Sequence, residues 1–236
     1  MILGRKELRM ALLASPPQTL KPGELMATDA SYKAGIYRLR EGWTSRSQDM
    51  FKNRTVITDV YLPGDVMGLD TLIQPKWQEN IVALTFATVE VFSAEGKLLD
   101  LMANASLALY VFWLLAQRQR RIERHLAVNT RLEAEARVAV MLLDLYVRLR
   151  RKKLIATPTY HLPMTQTQIG DYLGLSAVHV NRILGLLRTE QVIDLEKNCV
   201  TILNLERLKA LAHEAGLANS APKSEVSAAE LSCSAP

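Results

Sequence analysis

Between Met164 and Leu184 the chain reads Met-Thr-Gln-Thr-Gln-Ile-Gly-Asp-Tyr-Leu-Gly-Leu-Ser-Ala-Val-His-Val-Asn-Arg-Ile-Leu, and this run limits the fold more than any other. Thr165 and Gln168 have the spacing of a capping box, which starts a helix by satisfying its first free N–H groups. Ile169, Tyr172 and Leu173 give that helix one apolar face. Gly174 suits the left-handed residue that ends it, Leu175 plugs the turn, and Ser176 caps a second helix. Val180, Ile183, Leu184 and Leu187 form an inward stripe at helical spacing. Gly170 supplies a small residue where the second helix crosses closely. Two short helices at a steep angle are the expected result, a helix-turn-helix.

The outward face of the second helix, 177–189, carries Ala177, Val178, His179, Asn181 and Arg182. In a helix-turn-helix the N-terminal part of the second helix enters the major groove. There an arginine bonds guanine bidentately, an asparagine bonds adenine, and a valine packs on a thymine methyl. Val192 to Leu195, a turn at Glu196-Lys-Asn, and Cys199 to Ile202 read as a hairpin directly afterwards, which makes a winged helix. Lys197 and Asn198 sit at its tip, placed for phosphate. The expected contacts to double-stranded DNA are therefore Thr165, Gln166, Ser176, Val178, His179, Asn181, Arg182, Lys197 and Asn198.

Charge only partly agrees. Residues 154–200 hold three basic and four acidic groups, while residues 101–153 hold 11 basic and four acidic. The net charge of +5 thus comes from one central block: Arg118, Arg120, Arg121, Arg124, Arg131, Arg137, Arg148, Arg150, Arg151, Lys152 and Lys153. Either that block is a solvated helix surface or it faces a polyanion. Affinity from counterion release draws on Arg182, Arg188 and Lys197, helped by the 148–153 run.

Residues 15–99 read as β. Gly35 to Leu39, Val56 to Leu62, Ile81 to Phe86 and Thr88 to Phe92 are rich in β-branched and aromatic residues. Lys21-Pro-Gly, Arg40-Glu-Gly, Pro63-Gly-Asp and Ala94-Glu-Gly separate such runs. Many short strands at this spacing predict a barrel or jelly roll. Residues 101–126 lack Gly and Pro and predict one long helix; 131–153 predict another. Thr157-Pro-Thr and Pro163 mark a loop, and residues 217–236 read as a disordered tail. The fold class is α+β: a β-roll over 1–100, a long helix and hinge over 101–130, and a winged helix-turn-helix over 131–216.

Several function classes drop out. Two cysteines exclude a disulfide scaffold and any four-thiolate metal site. The 16-residue run Leu101 to Ala116 is short for a membrane span and holds Asn104 and Ser106, so it reads as a helix buried between two partners. No export signal is read at the N-terminus, and a cytoplasmic protein is expected. No metal, cofactor or enzymatic motif is expected; Asp65 and Asp70 read as turn residues rather than an acid–base pair. Cys199 reads first as a small strand residue and second as a redox switch.

With these motifs in place, about residues 15–215 resemble the Crp-Fnr family of bacterial transcription regulators. The run at 164–188 looks like the family's helix-turn-helix, and "GIYRLREGW" and "LPGDVMGLD" resemble the glycine turns of its effector-binding roll. The resemblance implies that the roll is a double-stranded β-helix like a cyclic-nucleotide-binding domain, and it implies a homodimer through the 101–126 helix, a guanine read by Arg182, a palindromic promoter site, and contact with RNA polymerase. This chain departs from the family's sensors at identifiable places. Leu69 follows Gly68 where cyclic-nucleotide binders have Glu, and no arginine lies between Arg54 and Arg118. Residues 1–198 lack the cysteines of an iron–sulfur sensor, and residues 1–124 lack a haem histidine. Gln191 stands where the family usually has Gly. The effector-binding residues are left unknown, and the roll either passes on an unidentified signal or is inert. Two alternatives stay open: a dimeric protein-binding adaptor, and a cyclic-nucleotide-dependent regulator with an atypical phosphate site.

Overall fold

The computed structural model describes residues 3–6, 8, 16–26, 35–50, 54–69, 80–93 and 103–213. The predicted tail, Asp70 and the Ala94–Gly96 turn lie outside the described residues. The chain is α+β, with β-sheets in the N-terminal half followed by long helices and a winged helix-turn-helix. Strands β1 (Gln18–Leu20), β2 (Gly35–Glu41), β5 (Val66–Met67) and β7 (Ala87–Ser93) form one antiparallel sheet in the order β1-β7-β2-β5. Strands β3 (Thr44–Met50), β4 (Arg54–Tyr61) and β6 (Asn80–Ala83) form another in the order β4-β3-β6. Leu20, Tyr37, Leu39, Tyr61, Met67, Ile81 and Val89 pack together as the roll's apolar core.

Strand β3 was not legible from pattern. Its sequence, Thr-Ser-Arg-Ser-Gln-Asp-Met, is polar, yet Thr44, Ser45, Arg46 and Ser47 are all buried. It is the central strand of its sheet, so its backbone groups are satisfied on both sides by β4 and β6. Arg46 faces Asp59 across the β3–β4 pair. A buried arginine is thus present in the roll, upstream of the interval in which the sequence has none.

Helix α1 (Ala105–Arg131) begins and ends about four residues later than the pattern predicts. Asn104, a polar intruder in the apolar run, is its N-cap and accepts from the Leu107 N–H at 3.1 Å. Leu107, Tyr110 and Val111 bury one face of α1 against Ile36 and Leu69 of the roll. Leu69 is a core residue there. The opposite face leaves Leu109 66%, Phe112 62% and Leu126 63% exposed. No helix among the described residues is long and apolar enough to cross a membrane.

Helix α2 (Ala134–Arg151) follows after a two-residue break. Its buried face, with Val138, Leu142, Leu145 and Leu149, joins two bodies into one core. On one side stand Trp43, Ile57, Val60 and Leu62 from the roll; on the other stand residues of the helix-turn-helix. Asp65, in the β4–β5 turn, strengthens this junction. It accepts from the Leu62 N–H at 2.8 Å, as a turn residue does, and also pairs with Arg148 at 2.9 Å and Lys152 at 2.8 Å. Arg121 of α1 lies 3.9 Å from Asp65 and 3.1 Å from Asp59.

Candidate nucleic-acid interface

The helix-turn-helix is built by local chemistry. Helix α3 (Gln166–Leu173) opens on a complete capping box: Thr165 Oγ1 accepts from the Gln168 N–H at 3.2 Å, and Gln168 Oε1 accepts from the Thr165 N–H at 2.9 Å. Gly174 ends it at φ +67°, and the Leu175 N–H turns back to the Gly170 carbonyl at 3.0 Å. Helix α4 (Ala177–Thr189) opens on Ser176, whose Oγ accepts from the His179 N–H at 3.2 Å. Val180, Ile183, Leu184 and Leu187 are buried as the spacing predicts.

Gly170 is needed for a slightly different reason from the one expected. A Cβ there would lie 2.4 Å from the Leu175 carbonyl oxygen, so it is the turn, not the second helix, that closes on it. Gly170→Ala is expected to destabilise the chain by about 1–3 kcal/mol in urea unfolding, although alanine is the better helix former. A variant as stable as the wild type would show that the turn yields.

The α4 terminus explains Gln191. Val192 N–H donates to the Leu187 carbonyl at 2.9 Å and Gln191 N–H to the Arg188 carbonyl at 3.0 Å, the Schellman pattern. Gln191 takes the left-handed position at φ +55°, where glycine carries no Cβ penalty. The cap forms with glutamine in it.

The wing is a three-stranded sheet in the order β8-β10-β9: β8 (Thr159–His161), β9 (Ile193–Glu196) and β10 (Cys199–Ile202). The hairpin is as predicted, but β8 falls inside the predicted loop. It pairs with Cys199–Thr201 and is anchored by Tyr160, whose buried hydroxyl donates to the Leu142 carbonyl at 2.9 Å. Three residues flanked by prolines are too few to show a periodicity. Lys197 and Asn198 make the two-residue turn at φ +47° and +63° and are exposed at its tip.

The predicted readers lie at the protein surface. Thr165, Gln166, Ser176, Val178, Asn181 and Arg182 are exposed, and His179 is partly so. Val178 is 81% exposed, on a helix whose inward stripe is fully buried. The side chains are already paired: Gln166 Nε2 donates to Asn181 Oδ1 at 3.0 Å, and Arg182 Nη2 to His179 Nε2 at 2.9 Å. Cys199 is a half-buried free thiol on β10.

The central basic block is not one polyanion-facing surface. Arg121, Arg148 and Lys152 pair with roll carboxylates, and Arg124 lies 3.6 Å from Asp144. Arg137 donates to the Leu132 and Leu173 carbonyls at 2.8 and 3.2 Å, sealing two chain turns. Arg148 is thus withdrawn from the 148–153 run, while Arg150, Arg151 and Lys153 stay exposed. Burial alone would raise the Asp65 carboxyl; Arg148, then Lys152 and Arg121, outweigh it and hold Asp65 at about 2. A further link between α1 and α3 is the His125 ring stacked on Tyr172 at 4.2 Å, with Asn129 Nδ2 donating to the Tyr172 carbonyl at 3.0 Å. Burial keeps His125 below the usual histidine range. Among the described residues no group of acidic, histidine or cysteine side chains is arranged to hold a metal.

Comparison with known proteins agrees with this geometry. Residues 136–211 match the Crp-like helix-turn-helix domain. The chain is 27% identical over 184 residues to the anaerobic regulatory protein of Haemophilus influenzae, covering 75% of this chain and 70% of the relative. It is 28% identical over 178 residues to the transcriptional regulatory protein btr of Bordetella pertussis, covering 75% and 72%. Among solved structures, FixK2 from Bradyrhizobium japonicum superposes with a TM-score of 0.76 over 83% of this chain and 96% of that one. At 24% sequence identity that likeness is one of fold. The matched relatives are named as regulators, not enzymes.

Proposed function

We propose that this chain, a Crp/Fnr-type transcription regulator with a helix-turn-helix DNA-binding domain, is a cytoplasmic homodimer that reads a palindromic promoter site. One observation carries the reading: Val178, Asn181 and Arg182 stand exposed together on the N-terminal half of α4, while the apolar residues of that helix's other face are buried. That is the composition of a helix meant for a major groove. Arg182 reads a guanine, Asn181 an adenine and Val178 a thymine methyl. Lys197, Asn198 and the helix N-termini at Thr165, Gln166 and Ser176 hold phosphate. The exposed stripe of α1 meets its own copy and sets half-sites about 34 Å apart. The division of labour is a roll over 1–100, a dimerisation helix over 101–130 and the DNA-binding module over 131–216. The roll transmits through β4 and Asp65, and the output is exerted on RNA polymerase.

Selection of bound fragments from sheared source-genome DNA by the purified protein, followed by fluorescence anisotropy on the enriched site, tests this. Enrichment of a palindrome is expected. Arg182→Ala is expected to weaken binding to it by about 1–3 kcal/mol and to relax preference at one base pair per half-site. Equal binding by wild type and variant to every single-base change would overturn the assignment of Arg182. An adaptor would enrich no DNA and would show no salt-dependent duplex binding.

A further inference from the structure

The contact between His179 and Arg182 goes beyond a roster of DNA contacts. A guanidinium is always protonated and only donates, so the 2.9 Å contact from Arg182 Nη2 requires a bare Nε2 on His179. The ring must then be neutral, with its proton on Nδ1. A protonated ring has two donors and no acceptor; the contact would break and two cations would stand one helical turn apart. The Ser176 cap fixes the backbone of His179, so the ring projects from a defined point. Arg182, by contrast, has a long stem whose rotamer freedom must be lost before its planar fork can meet a base edge.

We propose that His179 is a positioning residue that holds Arg182 ready for base reading, so that base discrimination at the Arg182 position depends on a neutral His179. The inference rests on the DNA-reading function above. The charged group in contact with His179 is Arg182, on its own helix. The elements packed against α4 are α2, α3 and β9. Of their charged groups, Arg137 of α2 is engaged by the Leu132 and Leu173 carbonyls, and Asp194 of β9 lies near Arg188, nine residues farther along α4. Asp171 lies in the second half of α3, whereas the N-terminal residue that reaches the reading face is the uncharged Gln166.

The test is a double-mutant cycle in anisotropy on the selected site and on its single-base variants, from pH 5.5 to 8.5. His179→Ala is expected to reduce discrimination at the Arg182 base pair roughly three- to tenfold at pH 8, and to have no further effect on that discrimination in the Arg182→Ala background. Wild-type discrimination is expected to fall toward the His179→Ala level on acidification, once the ring gains its second proton. His179→Gln, which keeps an acceptor and does not titrate, is expected to retain discrimination at every pH. An equal His179→Ala effect with and without Arg182 would overturn the proposal, because His179 would then contact DNA on its own account. A pH-independent wild type would overturn it as well. A wild type that selects no sequence would instead defeat the DNA-reading function. Nitrogen-15 spectra of the free protein still test the contact itself: Nε2 of His179 is expected unprotonated, and shifted by Arg182→Ala, at pH 8.

Discussion

Replacing Asp65 with asparagine is expected to lower the stability of the folded chain by about 3–5 kcal/mol, the usual cost of removing one partner from a buried ion pair. Asparagine keeps the shape and the acceptor for the Leu62 N–H, so the β4–β5 turn survives. What is lost is the negative charge facing Arg148, Lys152 and Arg121. Arg148 suffers most: its side chain is 12% exposed, and it keeps the Val60 carbonyl at 2.6 Å and the more distant Asp144 at 3.7 Å. Urea unfolding at neutral pH reads the loss directly. The pH dependence supplies an independent check. Asp65 has its carboxyl lowered from 3.8 to about 2 on folding. A lowered carboxyl contributes stability above its unfolded value, and that contribution fades as pH falls from about 4 to about 2. The difference corresponds to about 2 kcal/mol. The gap between wild type and Asp65→Asn is therefore expected to narrow on acidification through this window. A variant within about 1 kcal/mol of wild type, with a parallel pH profile, would show that the junction rests on apolar packing alone.

This junction marks the limit of what the chain displays one-dimensionally. The helix-turn-helix was legible because its determinants are local. A capping box spans Thr165 to Gln168, and the turn is Gly174 to Ser176. Each position has a chemical requirement that few residues meet. Asp65 and Arg148 are 83 residues apart, and nothing in either neighbourhood announces the other. The central block therefore read as a surplus of positive charge, when part of it is matched by the roll's carboxylates. Strand β3 was missed for a related reason. Hydrophobic alternation finds strands whose apolar side chains alternate with polar ones, whereas Thr44 to Ser47 are consecutive polar residues buried on a central strand. Gly170 shows the intermediate case: the need for a small residue was visible, but the atom that closes on it was not.

The exposed stripe of α1 supports the second large effect. Leu109, Phe112, Ala116, Gln119, Glu123 and Leu126 recur at alternating spacings of three and four, the repeat of a two-stranded seam. Apolar side chains occupy its two ends, with Leu109, Phe112 and Leu126 each more than 60% exposed, and Trp113 and Ile122 flank it. Gln119 donates to Glu123 at 2.9 Å in the middle, a polar pair suited to fixing the register of two helices. In the proposed homodimer, Phe112→Glu combined with Leu126→Glu places like charges on both copies of this seam. Sedimentation is expected to change from dimer to monomer, while the far-ultraviolet spectrum is kept, because neither side chain belongs to the core of the chain. The consequence for DNA exceeds that of losing any one reader. Two linked modules bind a palindrome with the second engagement made intramolecular, an advantage of 10²–10⁴ that adds no contact. The double variant is expected to lose affinity for the full palindrome by about that factor while binding an isolated half-site like one module of the wild type. Unchanged sedimentation together with unchanged palindrome affinity would place the dimer interface elsewhere. A dimer lost with affinity retained would mean that one module carries the whole recognition, and the palindrome would lose its physical basis.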